Sequence, residues 1–154
     1  MKVYEVARDS IYMRGEFRSA TLRNKEKMLS DNGITAVVCT LQRRDEELAE
    51  SGLVRYINYP LPDARYVDCD ALYANVSAAL NELYNGGRVL VHCIAGRNRS
   101  GLVSAILAAK LLGLNGEEAF AQVRRARPES FTNKVFEQYV KNYLEMPQTG
   151  IWRP

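Results

Sequence analysis

The stretch between Gly86 and Gly113 constrains the fold more than any other part of the chain. Its two opening glycines are followed by a short apolar run, Val89–Val91. Residues that are small or polar, except Ile94, then continue as far as Gly101, and an almost continuous apolar segment, Leu102–Leu112, comes next. The short β-branched run is typical of a buried strand, and the longer segment with a glycine at its end is typical of a buried helix. The sequence therefore predicts a strand–loop–helix junction, which is where α/β sheets bind their ligands.

The loop of this junction carries a cysteine and an arginine six positions apart, Cys93 and Arg99. A loop that opens a helix directs backbone N–H groups at an anion, and the helix N-terminus favours negative charge. The same field favours the reactive thiolate form of a cysteine, so we interpret Cys93 as a nucleophile. Arg99 offers a planar fork for two phosphate oxygens. The predicted phosphate-binding residues are Ile94, Ala95, Gly96, Arg97, Asn98 and Arg99.

The other residues of this segment have supporting roles in our interpretation. Gly96 allows a positive φ or a close approach of the backbone to the anion. Ser100 is placed to hydrogen-bond the thiolate and to help it leave when a phosphocysteine is hydrolysed. His92, the only histidine of the chain, is expected to order the loop through hydrogen bonds rather than act as a base. Asn98 is expected to brace the loop, and Arg97 either contacts a second anionic group at the pocket mouth or is simply solvated.

These residues resemble the Cys-x5-Arg signature of the cysteine-based protein tyrosine phosphatases. The form His-Cys-x-Ala-Gly-x-x-Arg-Ser-Gly is most similar to the dual-specificity branch. The resemblance covers most of the chain and implies hydrolysis of phosphomonoesters, such as phosphotyrosine and phosphoserine/threonine in proteins, through a phosphocysteine intermediate. It implies no metal or cofactor. The implied fold is α/β, with a central, mostly parallel sheet flanked by helices on both faces.

The mechanism of this family also requires a general acid on a loop before the nucleophile. Asp63 lies thirty positions before Cys93, after the probable strand Val54–Asn58, and this spacing resembles that of the dual-specificity enzymes. It would protonate the leaving oxygen and later activate water. Asp68 and Asp70 are rivals, although both lie where the next helix begins and capping would also explain them.

Composition sets the outer limits of function. With 154 residues, the chain is expected to form one catalytic domain, 1–146, followed by a tail, 147–154, that is loose or lightly docked through Trp152. A net charge of +3 suits an anionic substrate but does not require nucleic acid, and no nucleic-acid partner is expected because the chain lacks a dense basic surface. No apolar run has the ~20 residues of a membrane span, and the N-terminal residues lack the apolar core of a signal peptide. Three cysteines without a disulfide pattern or metal-ligand spacing favour a reducing cytoplasm and argue against a metal site.

Hydrophobic periodicity predicts alternating strands and helices around the central junction. Asn115 is expected to cap a helix through a capping box with Glu118, and the arginines after it, Arg124, Arg125 and Arg127, are expected on a solvated face. The predicted strands are Lys2–Ala7 and Ser10–Met13, which could pair as a hairpin, Ile34–Cys39 and Val54–Asn58. The predicted helices are Ser19–Asp31, Arg44–Glu50, Asp70–Asn85 and Thr132–Glu145.

Other functions remain as alternatives. Arg97 after the loop glycine is similar to phosphoinositide phosphatases, and Asn98 before the arginine is similar to RNA 5′-triphosphatases of the same superfamily. Those RNA enzymes usually lack the acid, so Asp63 argues against them. A non-catalytic pseudophosphatase is less favoured because nucleophile, arginine and acid are all present. A further hypothesis is a reversible disulfide between Cys39 and Cys93 under peroxide.

Overall fold

The computed structural model describes residues 1–154 and contains seven strands and six α-helices. The strands are β1 (Tyr4–Ala7), β2 (Ile11–Arg14), β3 (Ala36–Cys39), β4 (Arg55–Asn58), β5 (Val67–Asp68), β6 (Val89–His92) and β7 (Ile151–Trp152). The helices are α1 (Leu22–Asp31), α2 (Glu46–Glu50), α3 (Cys69–Tyr84), α4 (Arg99–Leu112), α5 (Gly116–Ala126) and α6 (Lys134–Lys141), followed by a short 3₁₀ helix at Tyr143–Glu145.

Five strands form the central sheet in the order β1-β2-β6-β3-β4. Strands β2, β6, β3 and β4 run parallel, whereas β1 pairs antiparallel with β2 as a hairpin. Because β6 lies between β2 and β3, its carboxyl end opens at the centre of the sheet. The predicted mostly parallel sheet is confirmed, and it places the residue after β6 between two neighbouring strand ends.

Alternation along the strands separates the core into two layers, since successive strand residues point to opposite faces. Val38, Val89 and Val91 pack with helices α3 to α6 on one face. Val37 and Leu90 pack on the other face with residues of α1 and α2, including Met28 and Leu48. The prediction of helices on both faces is therefore confirmed.

The predicted helices agree with the observed helices to within a few residues at their ends, except for the last one. The capping box of Asn115 and Glu118 is present at the start of α5, and Asp68 caps α3 by accepting from the Ala71 N–H at 3.1 Å. The predicted helix Thr132–Glu145 is instead interrupted after Lys141. At Asn142 the backbone leaves helical geometry and its side chain bonds back to the Gln138 carbonyl, so a separate 3₁₀ turn follows.

The C-terminal segment is docked through a second, two-stranded sheet. β7 pairs antiparallel with β5, with Trp152 opposite Val67 and Ile151 opposite Asp68. The Tyr139 hydroxyl donates to the Pro147 carbonyl at 2.6 Å, and the Tyr139 ring meets the Trp152 indole edge-on at 5.7 Å. None of the helices combines the length and the apolar composition that a membrane crossing requires.

Candidate active site

Cys93 follows directly after β6, and its side chain is buried with 2% exposure. Ser100, in the first turn of α4, is fully buried and places its Oγ 3.3 Å from the Cys93 Sγ. This is hydrogen-bond contact for sulfur, so Ser100 lies where a donor to a thiolate is needed. Helix α4 begins at Arg99, three residues before the predicted start at Leu102, so Arg99 and Ser100 lie in its first turn.

The backbone of the loop from Ile94 to Asn98 has its carbonyls and amides in different environments. Four carbonyl oxygens are bonded to the surrounding protein: Ile94 to the Glu16 N–H at 2.9 Å, Ala95 to the Arg127 guanidinium at 3.1 Å, Arg97 to the Phe131 N–H at 3.4 Å, and Asn98 to the Leu102 N–H at 2.8 Å. None of the five amide N–H groups donates to a backbone carbonyl. Because unpaired backbone donors are costly away from water, such a set of amides is suited to bind an anion.

The turn of the loop requires glycine on both sides of a close backbone contact. Gly96 has φ +68°, which confirms the predicted positive φ, and a Cβ there would lie 2.6 Å from the Gly15 nitrogen. A Cβ at Gly15 would in turn lie 2.7 Å from the Ile94 carbonyl oxygen. The close approach at Gly96 is thus to the segment after β2, and the two glycines let that segment support the loop.

Arg99 lines a cavity of about 430 Å³. Its Nε is buried and has no hydrogen-bond partner in the protein. The other lining residues follow β3 or β4, or lie just before or within β5: Thr40, Gln42, Pro60, Leu61, Pro62, Tyr66 and Asp68. The lining does not include Cys93 or residues 94–98, and Arg99 shares the cavity with the segment 60–62 that directly precedes Asp63.

Asp63 is held by two side-chain amides. Its Oδ2 accepts from Asn98 Nδ2 at 3.1 Å and its Oδ1 from Asn133 Nδ2 at 2.8 Å. Asn98 Oδ1 also accepts from the Asn133 N–H at 2.9 Å and from the Thr132 hydroxyl at 3.2 Å. The prediction that Asn98 braces the loop is confirmed, and the brace reaches both the acid loop and the start of α6.

The structure does not bring Asp63 and Arg99 to the same cavity. Asp63 lines a separate cavity of about 490 Å³ with Arg65, Asn98 and Lys134, whereas Asp68 lines the cavity of Arg99. The rival carboxylate of Asp68 thus shares a cavity with Arg99, although its Oδ1 accepts from the Ala71 N–H as the cap of α3.

His92 is buried with 1% exposure, and neither imidazole nitrogen has a hydrogen-bond partner. Only a contact of the ring with the Cys93 backbone supports the expected ordering through hydrogen bonds, which stays a prediction. The ring also packs edge-on against Phe17, with 4.9 Å between centroids. Burial lowers the pKa of His92 to about 4, so the ring is uncharged at neutral pH.

The rim of the loop is formed by exposed side chains. Ile94 is 64% exposed, and Arg97 also faces solvent. The solvated face expected for the arginines of α5 is wrong in part. Arg127 binds the Ala95 carbonyl and stacks 4.3 Å from the Tyr4 ring, and Arg124 donates to the Ser130 carbonyl at 2.6 Å. Sequence alone gives no sign of the Arg127 contacts, because they join positions far apart in the chain.

The buried thiol of Cys39 belongs to one small cluster with Leu41 and Cys93. All three cysteines of the chain are free. Burial raises the pKa of the Cys39 thiol. Contact within this cluster keeps the disulfide hypothesis open as a prediction, whereas Cys69 lies at the start of α3, in another part of the core.

Residues 17–146 match the family described as dual specificity phosphatase, catalytic domain. The chain belongs to this family. Among curated dual specificity phosphatases, it is 30% identical over 95 residues to protein phosphatase Mpk3 of Drosophila melanogaster, covering 61% of this chain and 23% of that protein. It is 34% identical over 77 residues to human dual specificity protein phosphatase 2, covering 49% of this chain and 24% of that protein. The chain thus spans about a quarter of the length of these relatives.

Solved phosphatase structures share the fold over nearly the whole chain. Human DUSP28 superposes with a TM-score of 0.73 at 25% identity, covering 94% of this chain and 95% of that one. Tk-PTP in its active form superposes with a TM-score of 0.74 at 23% identity, covering 90% and 93%, and this likeness concerns the fold alone. The recognition of a protein tyrosine phosphatase-like fold from the loop sequence is confirmed.

Proposed function

We propose that this dual specificity phosphatase domain hydrolyses phosphomonoesters, with phosphotyrosine and phosphoserine/threonine of proteins as substrates. The carrying observation is the set of donors around Cys93. Five loop amides lack a backbone acceptor, the Arg99 Nε lacks any partner, and the Ser100 Oγ lies 3.3 Å from the sulfur. These groups match the needs of a phosphoryl group above a thiolate.

In the first step, the Cys93 thiolate attacks phosphorus in line with the leaving oxygen. A bond forms between sulfur and phosphorus, and the bond between phosphorus and the ester oxygen breaks. A proton from Asp63 passes to the leaving alcohol or phenol. The loop amides and Arg99 stabilise the charge on the three equatorial oxygens, so positioning and electrostatics carry most of the rate enhancement.

In the second step, water attacks the phosphocysteine and the sulfur–phosphorus bond breaks. Asp63, now a carboxylate, takes a proton from the water, and inorganic phosphate leaves. The Ser100 hydroxyl donates to the sulfur as negative charge returns to it, which makes the thiolate a better leaving group. His92 takes no part in proton transfer in this scheme, since it is buried and uncharged.

The assignment of the acid to Asp63 requires a movement. Its carboxylate is bound by two amides outside the Arg99 cavity, so the loop around it has to turn for the proton to reach the ester oxygen. Asp68 already lies in that cavity, but it caps α3 through one oxygen. The spacing before Cys93 supports Asp63 as the general acid. Kinetics of the Asp63→Asn and Asp68→Asn variants with substrates of different leaving groups separate the two residues.

The substrate class and the compartment belong to the same proposal. Asp63 favours a protein phosphatase over the RNA 5′-triphosphatases, and an exposed Arg97 is also compatible with solvation alone. Three free cysteines are consistent with a reducing cytoplasm. Parallel turnover assays on phosphopeptides, phosphoinositides and RNA with a 5′-triphosphate end decide the substrate class.

The decisive experiment is the trapping of the intermediate. Rapid quenching of the wild-type chain with an aryl phosphate, followed by peptide mass spectrometry, is expected to show a phosphoryl group on Cys93. Cys93→Ser should keep the circular dichroism spectrum and phosphate binding but lose turnover and the adduct. Full activity of Cys93→Ser would exclude this mechanism. A wild-type chain that binds phosphate and never turns over would instead identify a phosphate-binding module.

A further inference from the structure

The segment after residue 146 lies beyond the region that matches the phosphatase family, yet it contacts a wall of the candidate active site. β7 is the only strand that pairs with β5. The Cys69 N–H donates to the Gly150 carbonyl at 2.8 Å, which extends this pairing to the first residue of α3. Strand β7 therefore fixes the backbone of Val67, Asp68 and Cys69, which follow the loop that carries Asp63.

The tail also brings a charged side chain to this wall. The Arg153 guanidinium lies 5.0 Å from the centroid of the Tyr66 ring. Tyr66 and Asp68 line the cavity onto which Arg99 opens. Stacking on an aromatic face orients a guanidinium without neutralising it, so a positive charge lies beside Tyr66, a residue that lines this cavity, although Arg153 itself is not among the lining residues.

No carboxylate of the chain neutralises this charge. The ten salt bridges of the structure do not include Arg153, and its side chain is exposed. Asp68 is the nearest acidic residue along the paired strands, and its carboxylate is turned to the N-terminus of α3. A cation that is oriented but unpaired is available to an anionic group of a ligand.

We infer that Arg153, presented by β7, is a specificity-determining residue that binds a second anionic group of a phosphopeptide substrate. This inference rests on the proposed function for its substrate, because Arg99 and the loop amides must hold the phosphate ester. The second group is a carboxylate or a further phosphate on a residue beside the phosphorylated one. Trp152 packs against Tyr139, and this contact helps to position the neighbouring Arg153 guanidinium.

The test compares three phosphotyrosine peptides of otherwise identical sequence. One carries glutamates beside the phosphotyrosine, one carries glutamines there, and one carries a second phosphotyrosine. We expect the wild-type chain to prefer both doubly anionic peptides over the glutamine peptide by about two- to fivefold in kcat/KM at low salt, the range of an exposed charge pair. The preference should shrink as salt is added.

The variants separate charge from structure. Arg153→Gln should lose the preference, Arg153→Lys should retain most of it, and Trp152→Ala should lose it because the strand is released. Arg8→Gln is the matched control. Its side chain is 94% exposed, and it lies beside the β1–β2 turn at the opposite end of the strands from Cys93. An unchanged preference in Arg153→Gln, or a loss in Arg153→Lys equal to that in Arg153→Gln, would overturn the inference.

Binding measurements keep this test separate from the proposed function. Fluorescence anisotropy of the same three peptides with Cys93→Ser and with Cys93→Ser/Arg153→Gln needs no turnover. If the wild-type chain hydrolyses none of the peptides, the proposed function fails, and the affinity ratio still decides the role of Arg153. A ratio that is the same with and without Arg153 contradicts the inference whether or not the enzyme is active.

Discussion

The Asn98 side-chain amide donates to the Asp63 carboxylate at 3.1 Å and so joins the loop from Ile94 to Asn98 to the loop that carries Asp63. Asn133 closes the connection from the start of α6, with a second donor at 2.8 Å. The two amides hold the Asp63 carboxylate outside the cavity that Arg99 lines, so the proposed acid role requires its release.

Asn98→Ala should weaken this connection and the fold together. The variant loses bonds to Asp63, Thr132 and the Asn133 backbone, so we expect the free energy of unfolding to fall by about 1–3 kcal/mol. Urea denaturation measures this, and phosphotyrosine turnover should fall as the acid loop loses its support. The control is Asn142→Ala, whose side chain makes only a local bond to the Gln138 carbonyl. Equal effects of the two variants would show that the connection contributes nothing specific.

Asp63→Asn should slow substrates according to their leaving groups. Removing a general acid costs about 10²–10⁴-fold for a phosphotyrosine peptide, which needs protonation of the phenol oxygen. An aryl phosphate with an acidic phenol leaves without a proton and should be slowed far less. Steady-state kinetics with both substrates checks this, and Asp68→Asn is measured in parallel. Equal slowing of both substrates by Asp63→Asn would move the acid role to Asp68 or Asp70.

Ser100→Ala should slow the second step more than the first. A hydrogen bond to a charged group contributes about 1.5–3 kcal/mol, which corresponds to roughly a tenfold to hundredfold slower release of the thiolate. Quenched-flow experiments should then show a burst of product and an accumulated phosphocysteine. Ser104→Ala, one turn further along α4 and equally buried, is the control because its Oγ has no partner. A rate loss without accumulation would argue against this role.

Lys25→Ala should be strongly destabilising. The Lys25 ammonium lies 2.8 Å from Asp45, and both side chains are almost fully buried, with 1% and 4% exposure. Removing one partner leaves an uncompensated buried carboxylate, and the expected loss is about 3–5 kcal/mol. The control is Lys27→Ala, whose pair with Asp31 has the same 2.8 Å distance but is exposed; its loss should stay below about 1 kcal/mol. Similar denaturation midpoints for both variants would contradict the role assigned to burial.

His92 should make the protein less stable in mild acid. Burial lowers its pKa from 6.5 to about 4, so between these values the unfolded chain binds a proton that the folded chain does not. The free energy of unfolding should therefore be unaffected by His92 above pH 6.5 and fall by about 3 kcal/mol as the pH approaches 4. Denaturation of wild type and His92→Gln across this range measures the difference. A parallel pH dependence of the two proteins would refute the assignment.

The sequence predicted those parts of the molecule that depend on local pattern. The strand–loop–helix junction, the positive φ of Gly96, the capping box at Asn115 and the two-sided sheet all follow from residue type and spacing. The length of the last helix was not predictable, because Asn142 interrupts an apolar pattern that continues in register. The contacts of Arg127 with the Ala95 carbonyl and of Asn133 with Asn98 were not predictable, since they join residues that only the tertiary fold brings together.

The pairing of β5 with β7 is another contact that the sequence alone does not predict. Each strand has two residues, too few for any periodicity, and neither is stable without the other. The docking of Trp152 could be anticipated from its size and apolar character, but its partner strand and the stacking of Arg153 on Tyr66 could not.

Carbonyl groups of the loop from Ile94 to Asn98 accept hydrogen bonds from the protein outside the loop. Glu16, Arg127 and Phe131 bond three of these carbonyls from outside the loop, so the loop proposed to bind phosphate is held in shape without a ligand. On the proposed function, little conformational entropy is then lost on binding, and affinity follows mainly from how well the incoming anion fits the fixed amide N–H groups.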